Sequence, residues 1–255
     1  MDGLQELGTT RMIARVDGPV GWMIFNNPER RNAVSLDMWE AVPRIIRRFE
    51  DDPAIRVIAL AGEGGRAFVS GADISQFEQV RSSAEQVARY EEVGARASEA
   101  LKGAGKPTVA VIRGWCVGGG VGIAVNCDLR FATEGSKFGV PAGRLGLGYG
   151  PKGVQSLMNL VGPGYTKEIF FTARHFTAAE AEAMGLVNRV VPDAVFDAFV
   201  AGQLALIAAN APLTLRALKR TVGELLRGPE GDLELCRQLV ADCFASEDYK
   251  EGRRA

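Results

Sequence analysis

The pattern of hydrophobic and polar positions predicts that the chain begins with strands. Two β-like runs, residues 12–16 and Val20–Phe25, flank the turn signal Asp17-Gly18-Pro19 and therefore predict a hairpin. Apolar residues then recur at helical spacing from the cap candidate Ser35 to Phe49, and Pro53 ends that helix.

The middle of the chain repeats one arrangement. Residues 55–61 and 107–112 are apolar runs typical of buried strands, and each leads to a glycine-rich segment. Residues 121–125 have the length and composition of the start of a short buried helix. Residues 129–133 and 137–140 are then predicted to form a third strand pair.

From Lys152 onward almost every signal is helical. Gly162-Pro163, Pro192 and Pro212 are typical of helix starts, and Thr177 with Glu180 forms a capping-box pattern. Alternating strands and helices followed by a helical block predict an α/β fold with a helical appendage. No low-complexity linker divides the chain into two domains.

Composition narrows the function classes. The 255 residues are 47% hydrophobic and 24% charged, and the net charge of −1 argues against a nucleic-acid binder. Apolar runs fall well short of the ~20 residues that span a bilayer, so we expect no membrane partner. Four widely spaced cysteines and the lack of a signal peptide predict a cytoplasmic protein, and no His/Cys/carboxylate cluster indicates a metal.

Five motifs in order carry a resemblance to a known family. They are NNPERRNAV, AFVSGADIS, KPTVAVIRGWCVGGGVGIAVNCDLRFA, SKFGVP with LGLGYGPKG, and FTAAEAEAMGLVNRVV. Over nearly its whole length the chain resembles the enoyl-CoA hydratase/isomerase (crotonase) superfamily. The resemblance implies a spiral of ββα units in residues 1–195, with the acyl-CoA site. It also implies a helical trimerisation region at 196–255 of the same domain, and a homotrimer or dimer of trimers.

The resemblance also implies an oxyanion hole made by the backbone amides of Ala72 and Gly119. Such amides stabilise the negative charge that develops on a thioester oxygen, and one donor typically contributes on the order of 10²–10³ in rate. The substrate is an acyl-CoA thioester, and no cofactor is implied besides the coenzyme A that the substrate carries. Arg30 and Arg31 are candidates for its phosphates, and Asp73 is expected to shape the loop. Further substrate-binding candidates are Ala33, Ser70, Gly71, Ile74, Ser75, Gly118, Gly120 and Ala142.

The chain departs from the family at the two catalytic glutamates. The matching positions hold Gly122 and Ala142, which cannot transfer a proton. The aspartate that dienoyl isomerases carry further along is replaced by Gly150. Ordinary hydration is therefore not expected.

Two polar side chains, Tyr149 and Arg144, are candidates to replace the glutamates, and Lys152 lies in the same loop. Tyr149 matches in spacing the active-site tyrosine of bacterial methylmalonyl-CoA decarboxylase, although that enzyme has histidine where this chain has Ala72. Arg144 could hold a departing carboxylate. The other interpretation is that Tyr149 packs and Arg144 forms a structural ion pair.

Three functions stay open at this stage. The first is a lyase or isomerase that acts on a small or unusual acyl-CoA, including a decarboxylase acting on a malonyl-type ester. The second is a catalytically silent acyl-CoA-binding protein, and the third is a structural subunit of a mixed oligomer. Cys116 is expected to be a small buried residue and His175 a surface residue, so neither supports a nucleophile–base pair.

Overall fold

The computed structural model describes residues 7–73 and 83–254, and it begins with the predicted hairpin. Strand β1 (Met12–Asp17) runs antiparallel to β2 (Val20–Phe25), with Met12 opposite Phe25. Both of these side chains are fully buried. Strand β2 then pairs in parallel with the next strand of the chain, so the hairpin forms one end of a larger sheet.

Successive strand pairs divide between two sheets, which confirms the spiral of ββα units. The six-stranded sheet has the order β1-β2-β3-β5-β7-β10, and the four-stranded sheet has the order β4-β6-β8-β9. After the hairpin, whose two strands both lie in the six-stranded sheet, each of the next three strand pairs gives its first strand to that sheet and its second to the other. The remaining strands are β3 (Val57–Gly62), β4 (Ala67–Val69), β5 (Thr108–Ile112), β6 (Trp115–Val117), β7 (Leu129–Thr133), β8 (Lys137–Gly139), β9 (Phe176–Thr177) and β10 (Arg189–Val191).

Residues 129–133 and 137–140 contain the two predicted strands, but the prediction that they pair with each other is wrong. Strand β7 pairs in parallel with β5 and β10, whereas β8 pairs with β6 and β9. The chain turns between them at Ser136, whose amide donates to the Thr133 carbonyl oxygen at 3.0 Å. Each strand therefore extends a different sheet.

The helices follow the predicted order. Helix α1 has Ser35 at its N-cap, although the Ser35 hydroxyl makes no capping hydrogen bond, and the capping box of Thr177 and Glu180 is complete. The bounds are α1 (Leu36–Asp51), α2 (Ala84–Gly103), α3 (Gly119–Ala124), α4 (Ala142–Leu145), α5 (Pro151–Thr172), α6 (Ala178–Ala183), α7 (Asp193–Ala209), α8 (Pro212–Leu226), α9 (Leu233–Ala245) and α10 (Glu247–Gly252). Helix α5 is kinked at Gly162, which has φ 73°.

Side chains of the six-stranded sheet alternate between two apolar clusters, as the period of a strand requires. Ile58 and Leu60 face the larger core with α1 and the four-stranded sheet. Val57 and Ala59 face the smaller cluster, in which Phe196 of α7 is fully buried. Helix α7 therefore covers the outer face of this sheet. The proposed division of the chain at residue 195 stays a prediction.

No single helix among the described residues has the length and apolar character needed to cross a bilayer. Helices α7 and α8 together meet that requirement by length and composition, but they are bent by 100° relative to each other.

A buried carboxylate, Glu224, fixes the turn between α8 and α9. Glu224 is only 2% exposed, and it accepts a hydrogen bond from the Asp232 amide at 2.9 Å. The guanidinium groups of Arg220 and Arg227 lie 2.7 and 3.0 Å from its two oxygens. The Asp232 amide, more than the two arginines, holds the pKa of Glu224 below its usual range although burial raises it.

We expect Glu224→Gln to lower the Tm near neutral pH and to matter less in acid. Because the folded pKa is lowered, the carboxylate stabilises the fold above its unfolded pKa of about 4.3, and this contribution is lost as the pH falls further. Thermal unfolding from pH 7 to pH 3 measures the difference. Glu234→Gln is the matched control. Glu234 is 81% exposed, and it pairs with Arg237 of the same helix, α9. Equal losses from both variants at every pH would contradict the assignment.

Candidate active site

The loop between β2 and α1 is braced by Asn32, a fully buried residue with φ 56°. Its side-chain amide donates to the carbonyl oxygens of Ala67 at 2.8 Å and Glu63 at 3.0 Å. Its side-chain oxygen accepts from the Asn27 amide at 2.9 Å. Asn32 therefore joins the NNPERRNAV segment to the start of β4. Our sequence analysis did not single it out.

Main-chain hydrogen bonds on both sides hold Ala72 in place. Val34 donates to the Gly71 carbonyl at 2.8 Å, and Asp73 donates to the Val34 carbonyl at 3.0 Å. Gly71 has φ 117°, a conformation that glycine adopts far more readily than other residues. Within residues 7–73 and 83–254, the Ala72 amide itself donates to no main-chain carbonyl. The flanking bonds therefore hold the main chain on both sides of Ala72, while no main-chain carbonyl of the described residues accepts from the Ala72 amide.

The glycine triplet brings a second amide beside the first. Gly118 donates to the Gly139 carbonyl at 2.8 Å, and α3 begins at Gly119. A β-carbon on Gly119 would lie 3.7 Å from the Ala72 nitrogen. No main-chain carbonyl of the described segments accepts from the Gly119 amide. The start of α3 thus lies next to the main chain of Ala72. An oxyanion hole requires two backbone N–H groups that point at one acceptor.

Gly120 allows this approach because the position has no room for a side chain. A β-carbon there would lie 2.1 Å from the carbonyl oxygen of Val69, the last residue of β4. The first turn of α3 is therefore in direct contact with the end of β4. Gly122, two residues further along, is different, since a β-carbon at that position would meet no atom within 4 Å.

The predicted coenzyme A residues of the first two motifs cluster around Ala72. Asp73 is buried and pairs with Arg30, with 3.0 Å between Oδ1 and Nη1, which agrees with a structural role for Asp73. Ser70 donates through its amide to the Arg31 carbonyl and through its hydroxyl to the Arg30 carbonyl. Ala33 is buried beside them. Ile74 and Ser75 lie outside the described residues.

An aromatic pair that the sequence analysis missed lies beside the glycine triplet. The Cζ2 atom of Trp39 would be 3.5 Å from a β-carbon on Gly119. The indole N–H of Trp39 donates to the hydroxyl oxygen of Tyr90 at 2.9 Å, and both residues are buried. This bond joins α1 to α2 next to the two amides. Position 39 falls on the apolar stripe of α1, so its pattern predicts core packing only.

The loop expected to supply replacement polar groups is largely exposed. Tyr149 is 41% exposed, and its ring packs edge-on against Phe170 of α5 with 4.9 Å between centroids. Arg144 is exposed, and among the described residues it forms no ion pair. Lys152 instead pairs with Glu99 of α2 at 2.9 Å. Packing of Tyr149 is thus present, whereas the alternative of a structural ion pair for Arg144 is not supported.

The two positions at which the resemblance predicts glutamates differ in their surroundings. Ala142 is buried in the main core at the start of α4, directly after Pro141. Gly122 lies beside open space on α3. A β-carbon at position 122 would meet no neighbour within 4 Å, whereas a larger side chain at the buried position 142 would displace core atoms.

Cys116 and His175 lie where the sequence analysis expected them. Cys116 is fully buried, and burial raises the pKa of its thiol far above the ordinary value, so it is not a nucleophile. His175 is exposed and packs edge-on against Trp115. Within the part of the chain that the structure describes, no group of His, Cys, Asp or Glu side chains is arranged to hold a metal ion.

Comparison with known proteins identifies the family. A family model described as enoyl-CoA hydratase/isomerase matches residues 16–255. The chain belongs to the enoyl-CoA hydratase/isomerase family. It is 32% identical to the short-chain-enoyl-CoA hydratase of Clostridium acetobutylicum, over 96% of this chain and 93% of the relative. The crotonyl-CoA hydratase of Syntrophomonas wolfei is 33% identical over 91% of this chain and 89% of its own.

Solved structures of the enoyl-CoA hydratase/isomerase family share the fold. A Hyphomonas neptunium protein assigned to this family is 39% identical, and the two structures superpose with a TM-score of 0.92. The match covers 97% of this chain and 95% of that one. The crotonase-type fold expected from the motifs is therefore confirmed.

We expect Gly120→Ala to destabilise the protein and Gly122→Ala to be tolerated. The new β-carbon at position 120 would overlap the Val69 carbonyl, and overpacking of this kind costs roughly 3 kcal/mol. The β-carbon at position 122 would meet no neighbour, and alanine favours a helix over glycine. Urea unfolding of the two matched variants measures the difference. Equal midpoints would show that β4 and α3 are not in direct contact.

Proposed function

We propose that this protein binds an acyl-CoA thioester and stabilises its enolate with the amides of Ala72 and Gly119. The single observation that carries the proposal is the 3.7 Å separation between the Ala72 nitrogen and a β-carbon position on Gly119. Family membership supports the substrate class, since the relatives named above are enoyl-CoA hydratases. An enolate in this site would receive two hydrogen bonds from preorganised donors.

We propose further that the reaction is not ordinary hydration. Adding water to an enoyl-CoA needs one group to activate the water and one to protonate the α-carbon, and Gly122 and Ala142 can do neither. The enzyme is therefore a lyase or isomerase for a small or unusual acyl-CoA. Tyr149 or Arg144, or a bound water, would then move the proton.

Decarboxylation of a malonyl-type CoA ester is the reaction that requires the fewest catalytic groups at this site. The bond between the α-carbon and the carboxylate breaks, carbon dioxide leaves, and the electron pair passes to the thioester as an enolate. No base is needed for this step, and Arg144 offers a cation for the carboxylate. The enolate then takes a proton at the α-carbon from Tyr149 or from water.

A catalytically silent acyl-CoA-binding protein is the second candidate. The observation that favours it is the placement of Tyr149 and Arg144, which are both exposed, and Tyr149 packs against Phe170. The two amides would still bind the thioester oxygen. The chemistry would be absent because no positioned acid or base accompanies them.

The experiment is a panel of CoA esters assayed with the wild type and Gly122→Glu. Position 142 is left unchanged because Ala142 is buried in the core. We expect the wild type to convert a malonyl-type ester and to hydrate crotonyl-CoA at least ~10²-fold more slowly than Gly122→Glu, because one acid–base group contributes ~10²–10⁴. The control is Gly122→Gln, which has a side chain of similar size without a base. Wild-type hydration at the rate of Gly122→Glu would contradict the missing-glutamate argument. Tight binding of every ester without turnover would favour the silent protein.

We also infer that the protein forms a homotrimer or a dimer of trimers through its C-terminal helices. Leu218, Val222 and Leu225 form a stripe at helical spacing on α8, and all three are exposed in the single chain. Phe244 of α9 is exposed as well. Such an apolar surface is typical of an assembly interface.

We expect Leu218→Asp with Leu225→Asp to give a smaller species than the wild type in light scattering after size exclusion. Two charges on the stripe would have to lose their hydration in the interface. Val16→Asp is the control, because Val16 is an exposed apolar residue on β1, away from the C-terminal helices. An unchanged mass for the double variant would place the interface elsewhere. We also propose a cytoplasmic location. All four cysteines are free thiols, which is typical of proteins in a reducing compartment.

A further inference from the structure

A buried arginine lies directly behind the helix that carries the Gly119 amide. Arg130 of β7 is 3% exposed. Its Nη1 group donates to the carbonyl oxygen of Cys127 at 2.7 Å and lies 3.4 Å from that of Ala124, the last residue of α3. Its Nε group donates to the Leu186 carbonyl at 2.8 Å. One guanidinium therefore holds the end of α3 against the turn that follows α6.

Carbonyl oxygens, and not carboxylates, are the hydrogen-bond acceptors around this cation. Within residues 7–73 and 83–254, Arg130 forms no ion pair within 4 Å. The nearest acidic group along the chain, Asp128, forms its ion pair with Lys219 at 2.8 Å, but its charge also raises the pKa of Arg130. Burial lowers the pKa of Arg130, but an arginine starts so high that it stays charged. The core thus holds a full positive charge beside α3.

The charge is close enough to act on an anion at the other end of this helix. Gly119 and Ala124 are five residues apart, so the helix rise puts roughly 7.5 Å between them along the axis. With a hydrogen bond of about 3 Å at one end and 3.4 Å from Nη1 to the Ala124 carbonyl at the other, a thioester oxygen at the Gly119 amide would lie roughly 14 Å from the guanidinium. Little water separates the two, because Val121, Ile123 and Ala124 are buried. At this distance and in this medium a charge shifts a proton equilibrium by roughly one pKa unit.

We propose that Arg130 is a positioning residue that acts through α3. It fixes the carbonyl end of this helix, and its buried charge favours the enolate over the neutral thioester at the Gly119 amide. This role rests on the proposed enolate-stabilising function. It requires no contact between Arg130 and the substrate.

The test uses acetoacetyl-CoA, a β-keto thioester whose enolate absorbs in the near ultraviolet. Its apparent pKa when bound to the full-length protein reports how strongly the site favours the enolate. We expect the wild type to lower this pKa relative to the free ligand. Arg130→Met should raise the bound pKa by roughly one unit, a tenfold loss in the ratio of enolate to keto form, and Arg130→Lys should preserve it.

Two further variants separate charge from structure. Cys127→Asp keeps Arg130 and its carbonyl bonds but adds a carboxylate of similar volume beside it, so it should raise the ligand pKa even if Arg130→Met does not fold. Arg113→Met is the matched control. Arg113 is a partly buried arginine whose charge is already balanced by Asp193 and Asp197, so its loss should leave the ligand pKa unchanged.

The outcomes separate this role from the proposed function. A wild type that binds acetoacetyl-CoA without lowering its pKa would overturn both. A wild type that lowers the pKa, together with Arg130→Met and Cys127→Asp values within a few tenths of it, would overturn only the role of Arg130. If Arg130 had only a structural role, its variants would have a lower Tm than the wild type and an unchanged ligand pKa.

Discussion

Direct contact between main-chain atoms of two segments is the constraint on which the rest of this structure depends. Gly120 lies so close to the Val69 carbonyl that no β-carbon fits between α3 and β4. This contact sets the distance from the Gly119 amide to the Ala72 amide. Both segments are in turn held by strands, because β4 and β6 are neighbours in the four-stranded sheet. The geometry of the proposed oxyanion hole therefore depends on the sheet, and it needs no functional side chain.

The local sequence pattern predicts most of the helices and strands, but it does not predict which strands pair with each other. The hairpin and the two central strands are predicted by apolar runs between turn residues, since these signals are local. The pairing of β7 with β8 was wrong because partner choice depends on the other units of the spiral, which lie far away in the sequence. Strands β9 and β10 were missed because two or three residues carry no periodic signal.

The candidate site likewise contains some residues that the sequence indicates and others that it does not. The resemblance to the enoyl-CoA hydratase/isomerase family predicts Ala72 and Gly119 as the oxyanion-hole pair, and the structure brings these two residues close together. Their role stays a prediction. Trp39 and Tyr90 could not be predicted, because their hydrogen bond joins positions 51 residues apart and each resembles an ordinary core residue. The role of Arg130 could not be predicted from the sequence either, for a related reason. Its acceptors are carbonyl oxygens, which every residue has, so no neighbouring acid in the sequence indicates its role.

The open space beside Gly122 has a consequence for how such a protein changes over time. Two of the four glycine codons differ from a glutamate codon by a single nucleotide, and the same holds for alanine. The β-carbon of a glutamate at position 122 would meet no atom within 4 Å, so the step is short in the gene and its first side-chain atom is accommodated in the protein. A lineage with this fold can therefore gain or lose a proton-transfer group by point mutation while the thioester site persists. Overall sequence identity is for that reason a poor guide to which reaction a given member performs.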